Sequence, residues 1–128
     1  MKFYSVIEAV GEESLGFLGD KDTDMVVLFG KGAPKELADI SLIHGPSIFL
    51  SDVGPGDMVL WGEKVFSVTA VGETANKTLR ELGHCTLCFK GGTEPERPGM
   101  IMMDGDYPLK EEDITVGTVI EIHRRLAL

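Results

Sequence analysis

Short apolar runs, often β-branched and separated by Gly, Pro and Asp, recur along the whole chain. KFYSVIEA (2–9), MVVLF (25–29), ISLI (40–43), DMVLW (57–61), KVFSVTAV (64–71), HCTLCF (84–89), MIMM (100–103) and TVIEIH (118–123) each read as a strand. Two short stretches carry helical signals instead. GAPKELADI (32–40) puts Pro34 at a first turn and Glu36 near the start. ETANKTLRELG (73–83) puts Ala75, Leu79 and Leu82 on one stripe, with Gly83 placed to end the helix. The pattern predicts an all-β fold, a small closed barrel with one or two short helices. The 16 glycines in the chain supply the turns and bulges such a barrel needs.

The pattern also repeats. IEAVGEES (7–14) echoes VTAVGETA (68–75), and the same ungapped offset aligns 7–61 with 68–122. It pairs Gly11 with Gly72, Gly30 with Gly91, Pro34 with Pro95 and Asp52 with Asp113. An internal duplication would fold into two similar halves of one pseudo-twofold barrel, which also removes sheet edges. Under this offset His44 falls on Gly105, so only one half has a histidine at that turn. A framework role would more naturally be shared, and the difference favours function.

Length fits one domain spanning 1–128, with no linker or low-complexity tract. The net charge of -9 argues against nucleic acid and against an anionic membrane surface; it suits a partner with a basic face. No apolar run is long enough to span a bilayer, and Glu8 interrupts the N-terminal stretch before a signal-peptide core forms. A cytoplasmic location is expected.

Candidate chemistry centres on SLIHGPS (41–47). The neutral imidazole of His44 is a nucleophile near neutral pH, and one ring nitrogen can attack phosphorus while the other holds a tautomer-fixing hydrogen bond. Gly45 permits close backbone approach, so N–H groups freed at this turn can hold phosphoryl oxygens. From the residues alone, a strand-end histidine bonded to a backbone carbonyl is the stronger reading. His84 follows Gly83, where it would satisfy a terminal carbonyl of the helix and meet its dipole. In a functional reading it supports the reactive histidine. His123, beside Arg124 and Arg125, reads as a surface residue.

Cys85 and Cys88 form a C-x-x-C string, but in a strand they point to opposite faces and no second ligand pair accompanies them. They read as structural. The loop acids Asp20, Asp22 and Asp24 lack the rest of a calcium loop, and Glu111, Glu112 and Asp113 read as solvated. No metal or organic cofactor is expected.

VTAVGETANKTLRELGHCTLCFKGGTEPERPG (68–99), above all LRELGH followed by T-L-x-F, together with GAPKELADISLIH (32–44), resembles the glucitol/sorbitol-specific IIA component of the bacterial phosphoenolpyruvate-dependent sugar phosphotransferase system. The resemblance covers nearly the whole chain. It implies that His44 is a transient phosphohistidine, charged by the phosphocarrier protein HPr. The group would then pass to a cysteine of the sorbitol-specific IIB component, beside the IIC membrane permease. His84 lies in the recurrent LGH string. Some members carry a second histidine two residues after the active one; here that position is Pro46.

Such a relay needs an imidazole presented to solvent with one nitrogen unprotonated. With the ring sealed inside the protein and both nitrogens occupied, the relay idea collapses. Two rivals remain: a non-catalytic regulator that binds partners without transfer, and a small-ligand-binding barrel with a deep apolar pocket away from His44.

Overall fold

The computed structural model describes residues 1–125; the last three positions of the expected 1–128 domain lie outside the described residues. The strands are β1 (Phe3–Val10), β2 (Met25–Gly30), β3 (Leu42–His44), β4 (Ile48–Phe49), β5 (Met58–Trp61), β6 (Lys64–Val71), β7 (Cys85–Cys88), β8 (Met100–Asp104) and β9 (Val119–His123). The helices are α1 (Lys35–Ala38) and α2 (Ala75–Leu82), and a 3-10 turn spans Glu111–Asp113. Each of the eight expected apolar runs overlaps one strand, although β3 starts at Leu42 and runs one residue past its stretch to His44. The two-residue β4 and the 3-10 turn were not foreseen, because so few residues carry no readable period.

The strands form one sheet in the order β3-β2-β7-β8-β6-β5-β9-β1-β4, and β3 also pairs with β1. That extra pairing closes eight strands into a barrel and leaves β4 attached to β1 as a ninth. Alternation along β1 sends Phe3, Ser5 and Ile7 inward, all fully buried. They join Leu28, Leu42, Val59, Trp61, Phe66, Leu87, Ile101 and Ile120 in one core. β8 is buried on both faces: Ile101 and Met103 meet that core, while Met100 and Met102 pack with Ala70 and Cys88. This explains why MIMM reads as a continuous apolar run without alternation.

The pairings repeat across the barrel. β1 pairs with β9 and β3, while β6 pairs with β5 and β8. Phe3 opposite Ile122 matches Lys64 opposite Trp61, an offset of 61 residues. Both halves shift register at the same place, between Ile7 and Ala9 and between Val68 and Ala70. The other strands follow a shorter offset. Leu28 opposite Leu42 matches Leu87 opposite Ile101, 59 residues on. The ungapped equivalence of His44 with Gly105 is therefore corrected: Val68 faces Met103 where Ile7 faces His44. The two halves use linkers of different length between their first two strands, which an ungapped comparison cannot register.

α2 lays Ala75 and Leu79 on the core. Its Asn76 amide brackets Val53, accepting from the backbone N–H at 2.7 Å and donating to the carbonyl at 2.9 Å. Gly83 ends the helix in the left-handed region, φ 67°, as its position predicted.

Candidate functional site

β3 delivers His44 as its last residue, beside Gly30 of β2 on one side and Ile7 of β1 on the other. Inward alternation within β3 puts Leu42 and His44 on the core side, and the His44 ring meets Phe3 edge-on, centroids 5.9 Å apart. His44 is only 1% exposed. Its Nε2 lies 2.6 Å from the carbonyl oxygen of Gly83, and its Nδ1 lies 2.6 Å from the hydroxyl of Ser5. A carbonyl only accepts, so Nε2 carries the proton and donates. Nδ1 then holds the lone pair and accepts from Ser5.

The expectation of a solvent-presented ring is thus corrected. In this conformation the imidazole is closed in, with both nitrogens bonded. The reading from residues alone, a strand-end histidine on a backbone carbonyl, describes the contact to Gly83. Burial holds the imidazole below the ordinary histidine value of 6.5, because it penalises the charged ring; the Gly83 carbonyl and the charge of Glu8 pull less strongly the other way. The ring is therefore neutral near pH 7.

Glycines make room for this ring. A Cβ on Gly83 would stand 2.9 Å from Gly30 N and 3.1 Å from His44 Cε1. A Cβ on Gly30 would stand 2.7 Å from the Leu82 carbonyl oxygen. Strand β2 and the end of α2 touch backbone to backbone, which brings the Gly83 carbonyl onto His44. At the related place in the other half, Met103 and Phe66 are both buried and apolar. The His44–Ser5 pair is a polar inclusion that one half has and the other lacks.

Backbone N–H groups at the Gly45 turn are expected to hold phosphoryl oxygens. The N–H of Gly45 itself donates to the Val6 carbonyl at 3.1 Å and is not free in this conformation. Near Gly45, Glu8 and Lys31 pair at 2.8 Å, with Lys31 mostly exposed. Around the turn, Leu42 is core, while Ile48 is 47% exposed and Leu50 64% exposed.

His84 lies next to the carbonyl that holds His44 and is half-buried. Its backbone N–H donates to the Thr78 carbonyl of α2 at 3.1 Å, but its ring does not bond to the helix. Its Nδ1 is 3.1 Å from the Leu28 carbonyl oxygen of β2, and its ring stacks on Phe29, centroids 4.5 Å apart. His123 is half-buried and meets Glu121 at 3.0 Å. Cys85 and Cys88 are free and buried, and burial pushes the Cys85 thiol up to about 12. Among the described residues no three His, Cys, Asp or Glu side chains gather as a metal site would require, and no helix is long and apolar enough to cross a membrane.

Ser5, Gly30 and Gly83 complete the site around His44. The sequence reading missed Ser5, although a signal exists: alternation in Phe3-x-Ser5-x-Ile7 places a lone hydroxyl on an otherwise apolar face, where it needs a partner.

The sequence model of the PTS system glucitol/sorbitol-specific IIA component matches residues 2–121. Over 119 residues the chain is 34% identical to the PTS system glucitol/sorbitol-specific EIIA component of Escherichia coli (strain K12), covering 93% of this chain and 92% of that protein. The component of the same name from Shigella flexneri matches to the same extent. Among solved structures, a PTS system IIA component from Enterococcus faecalis V583 superposes with a TM-score of 0.74 at 23% identity, covering 94% of this chain and 98% of that one. That likeness bears on the fold.

Proposed function

Because this chain belongs to the glucitol/sorbitol-specific IIA family of phosphotransferase-system components, we propose that it carries a phosphoryl group on His44. The group comes from phosphorylated HPr. It leaves to a cysteine of the sorbitol-specific IIB component, beside the IIC permease, as the sugar alcohol enters the cytoplasm. The observation that carries this reading is a neutral, single-tautomer imidazole at the last position of β3. It stands where the resemblance puts the phosphoryl acceptor.

Transfer requires the ring to leave its present position. Release breaks the hydrogen bonds to Ser5 and Gly83, each worth about 1 kcal/mol net. A gap of about 2 kcal/mol leaves on the order of one molecule in thirty open, and the lost packing against Phe3 lowers this further. A minor state of that size is accessible through local opening at a strand end. Docking of a partner that favours the open ring then shifts the population.

The closed ring gives specific support to a second reading, a non-catalytic regulatory or small-ligand-binding barrel in which His44 is a structural strut. The two separate on incubation with phosphoenolpyruvate, enzyme I and HPr, followed by peptide mapping. The carrier reading expects an acid-labile phosphoryl group on His44 that IIB discharges. Binding of HPr without any phosphoryl incorporation supports the regulator. Saturable uptake of a small molecule, with no incorporation, supports the ligand-binding module.

A further inference from the structure

The second histidine of this region has the geometry that His44 lacks in the closed conformation. The Leu28 carbonyl oxygen 3.1 Å from His84 Nδ1 can only accept, so Nδ1 carries a proton and, in the neutral ring, Nε2 carries the lone pair. Among the described residues nothing hydrogen-bonds to Nε2. The ring plane is set by stacking on Phe29, at 29° and 4.5 Å. The backbone is held at both ends: His84 N–H donates to the Thr78 carbonyl at 3.1 Å, and the Thr78 hydroxyl donates to the His84 carbonyl at 2.6 Å. His84 is half-buried where His44 is sealed, and neighbouring Leu82 is 53% exposed. An Nδ1–H held by a carbonyl, a fixed ring plane and an Nε2 without a hydrogen-bond partner among the described residues suit a nucleophilic imidazole.

We infer that His84 Nε2 is a second phosphoryl acceptor of this chain, charged by the same phosphohistidine carrier while His44 is closed in. The inference rests on the carrier reading above and adds a site to it. In the step, the Nε2 lone pair forms the new N–P bond as the N–P bond of the donor breaks. The donor ring, protonated at its other nitrogen, keeps that electron pair and leaves as neutral imidazole. No proton moves. Nδ1–H stays on the Leu28 carbonyl, and that hydrogen bond strengthens as the phosphorylated ring becomes cationic. Discharge to an acceptor thiolate reverses the sequence, with sulfur taking the phosphoryl group and the ring returning to its neutral tautomer.

The test uses the full chain with phosphoenolpyruvate, enzyme I and HPr, and locates the phosphoryl group by peptide mapping and by phosphorus NMR, which separates the two ring nitrogens. The expected result is label on His84 at Nε2 in the unaltered protein. It should persist in His44→Gln and disappear from that peptide in His84→Gln, while His44 still charges. Label confined to His44 overturns this inference and leaves the carrier reading standing. No label on either histidine removes both. Mapping on the unaltered protein decides the matter even if a variant fails to fold.

Discussion

The Nε2 atom of His44 lies 2.6 Å from the carbonyl oxygen of Gly83, a contact that joins the end of β3 to the end of α2. Three elements meet there, because Gly83 also packs its backbone against Gly30 of β2. The tautomer of the buried ring, its position and the end of the helix are therefore set together.

Gly83→Ala disturbs all three. The added Cβ must occupy φ 67° and meets Gly30 and the His44 ring at about contact-breaking distance. Left-handed strain and overpacking together are expected to cost about 3 kcal/mol. Gly32→Ala is the control: its φ is +92°, but nothing lies within 4 Å of the new atom, so strain alone acts, about 1 kcal/mol. Denaturant unfolding of both variants measures the difference, and equal losses would contradict the packing argument.

Ser5→Ala leaves the His44 Nδ1 lone pair buried without a donor. The closed ring is destabilised by about 1–3 kcal/mol while the open ring is not. Global stability should fall, and phosphoryl incorporation at His44 should become faster, about tenfold for each 1.4 kcal/mol. Stopped-flow or quench measurement of incorporation from phosphorylated HPr checks this. A slower rate in a folded variant would show that Ser5 aids transfer instead of restraining the ring.

His44 also ties stability to pH. Its folded value lies below 6.5, mainly because burial penalises the charged ring. As pH falls below the unfolded value, the unfolded chain binds a proton here that the folded chain does not. The contribution is thus present above about pH 6.5 and is lost progressively as pH drops toward the folded value. His44→Gln should flatten the stability profile in that window. Urea midpoints taken across it provide the measurement, and an unchanged slope would remove His44 as the source.

Both thiols should be silent in the native protein. Cys85 and Cys88 are buried, and burial raises the pKa of each, that of Cys85 to about 12. Little thiolate exists at neutral pH and a reagent has no approach. A colorimetric thiol reagent should titrate neither cysteine until denaturant is added, and then both. Rapid native reaction of either would contradict the packing of β7.

Eight of nine strands were legible because each apolar run is bounded by Gly, Pro or Asp and needs only local reading. Gly83 was legible as a helix terminator for the same reason. β4 was not, since Ile48 and Phe49 owe their strand geometry to pairing with Tyr4 and Phe3. His44 stood out by residue type and by its place before Gly45. Its enclosure did not, because Ser5 and Gly83 each lie 39 residues away from it. The role expected of the His84 ring also shifted: its partner is Leu28, 56 residues distant, and only the His84 backbone bonds to the helix it follows.

The order of apolar and turn-forming residues by itself determined that this chain makes short strands, which stretches hold them, and which residue types are available for chemistry. Those properties follow from side-chain alternation and backbone preference over a few neighbouring residues. Tertiary structure alone decided that β1 meets β3 to close the barrel, that a linker shortened by two residues sets Met103 opposite Val68, and that His44 faces inward onto Ser5 and Gly83 while the His84 ring bonds to Leu28 of β2. These are contacts between distant segments, and they depend on how the whole sheet closes and where two glycines let backbones touch.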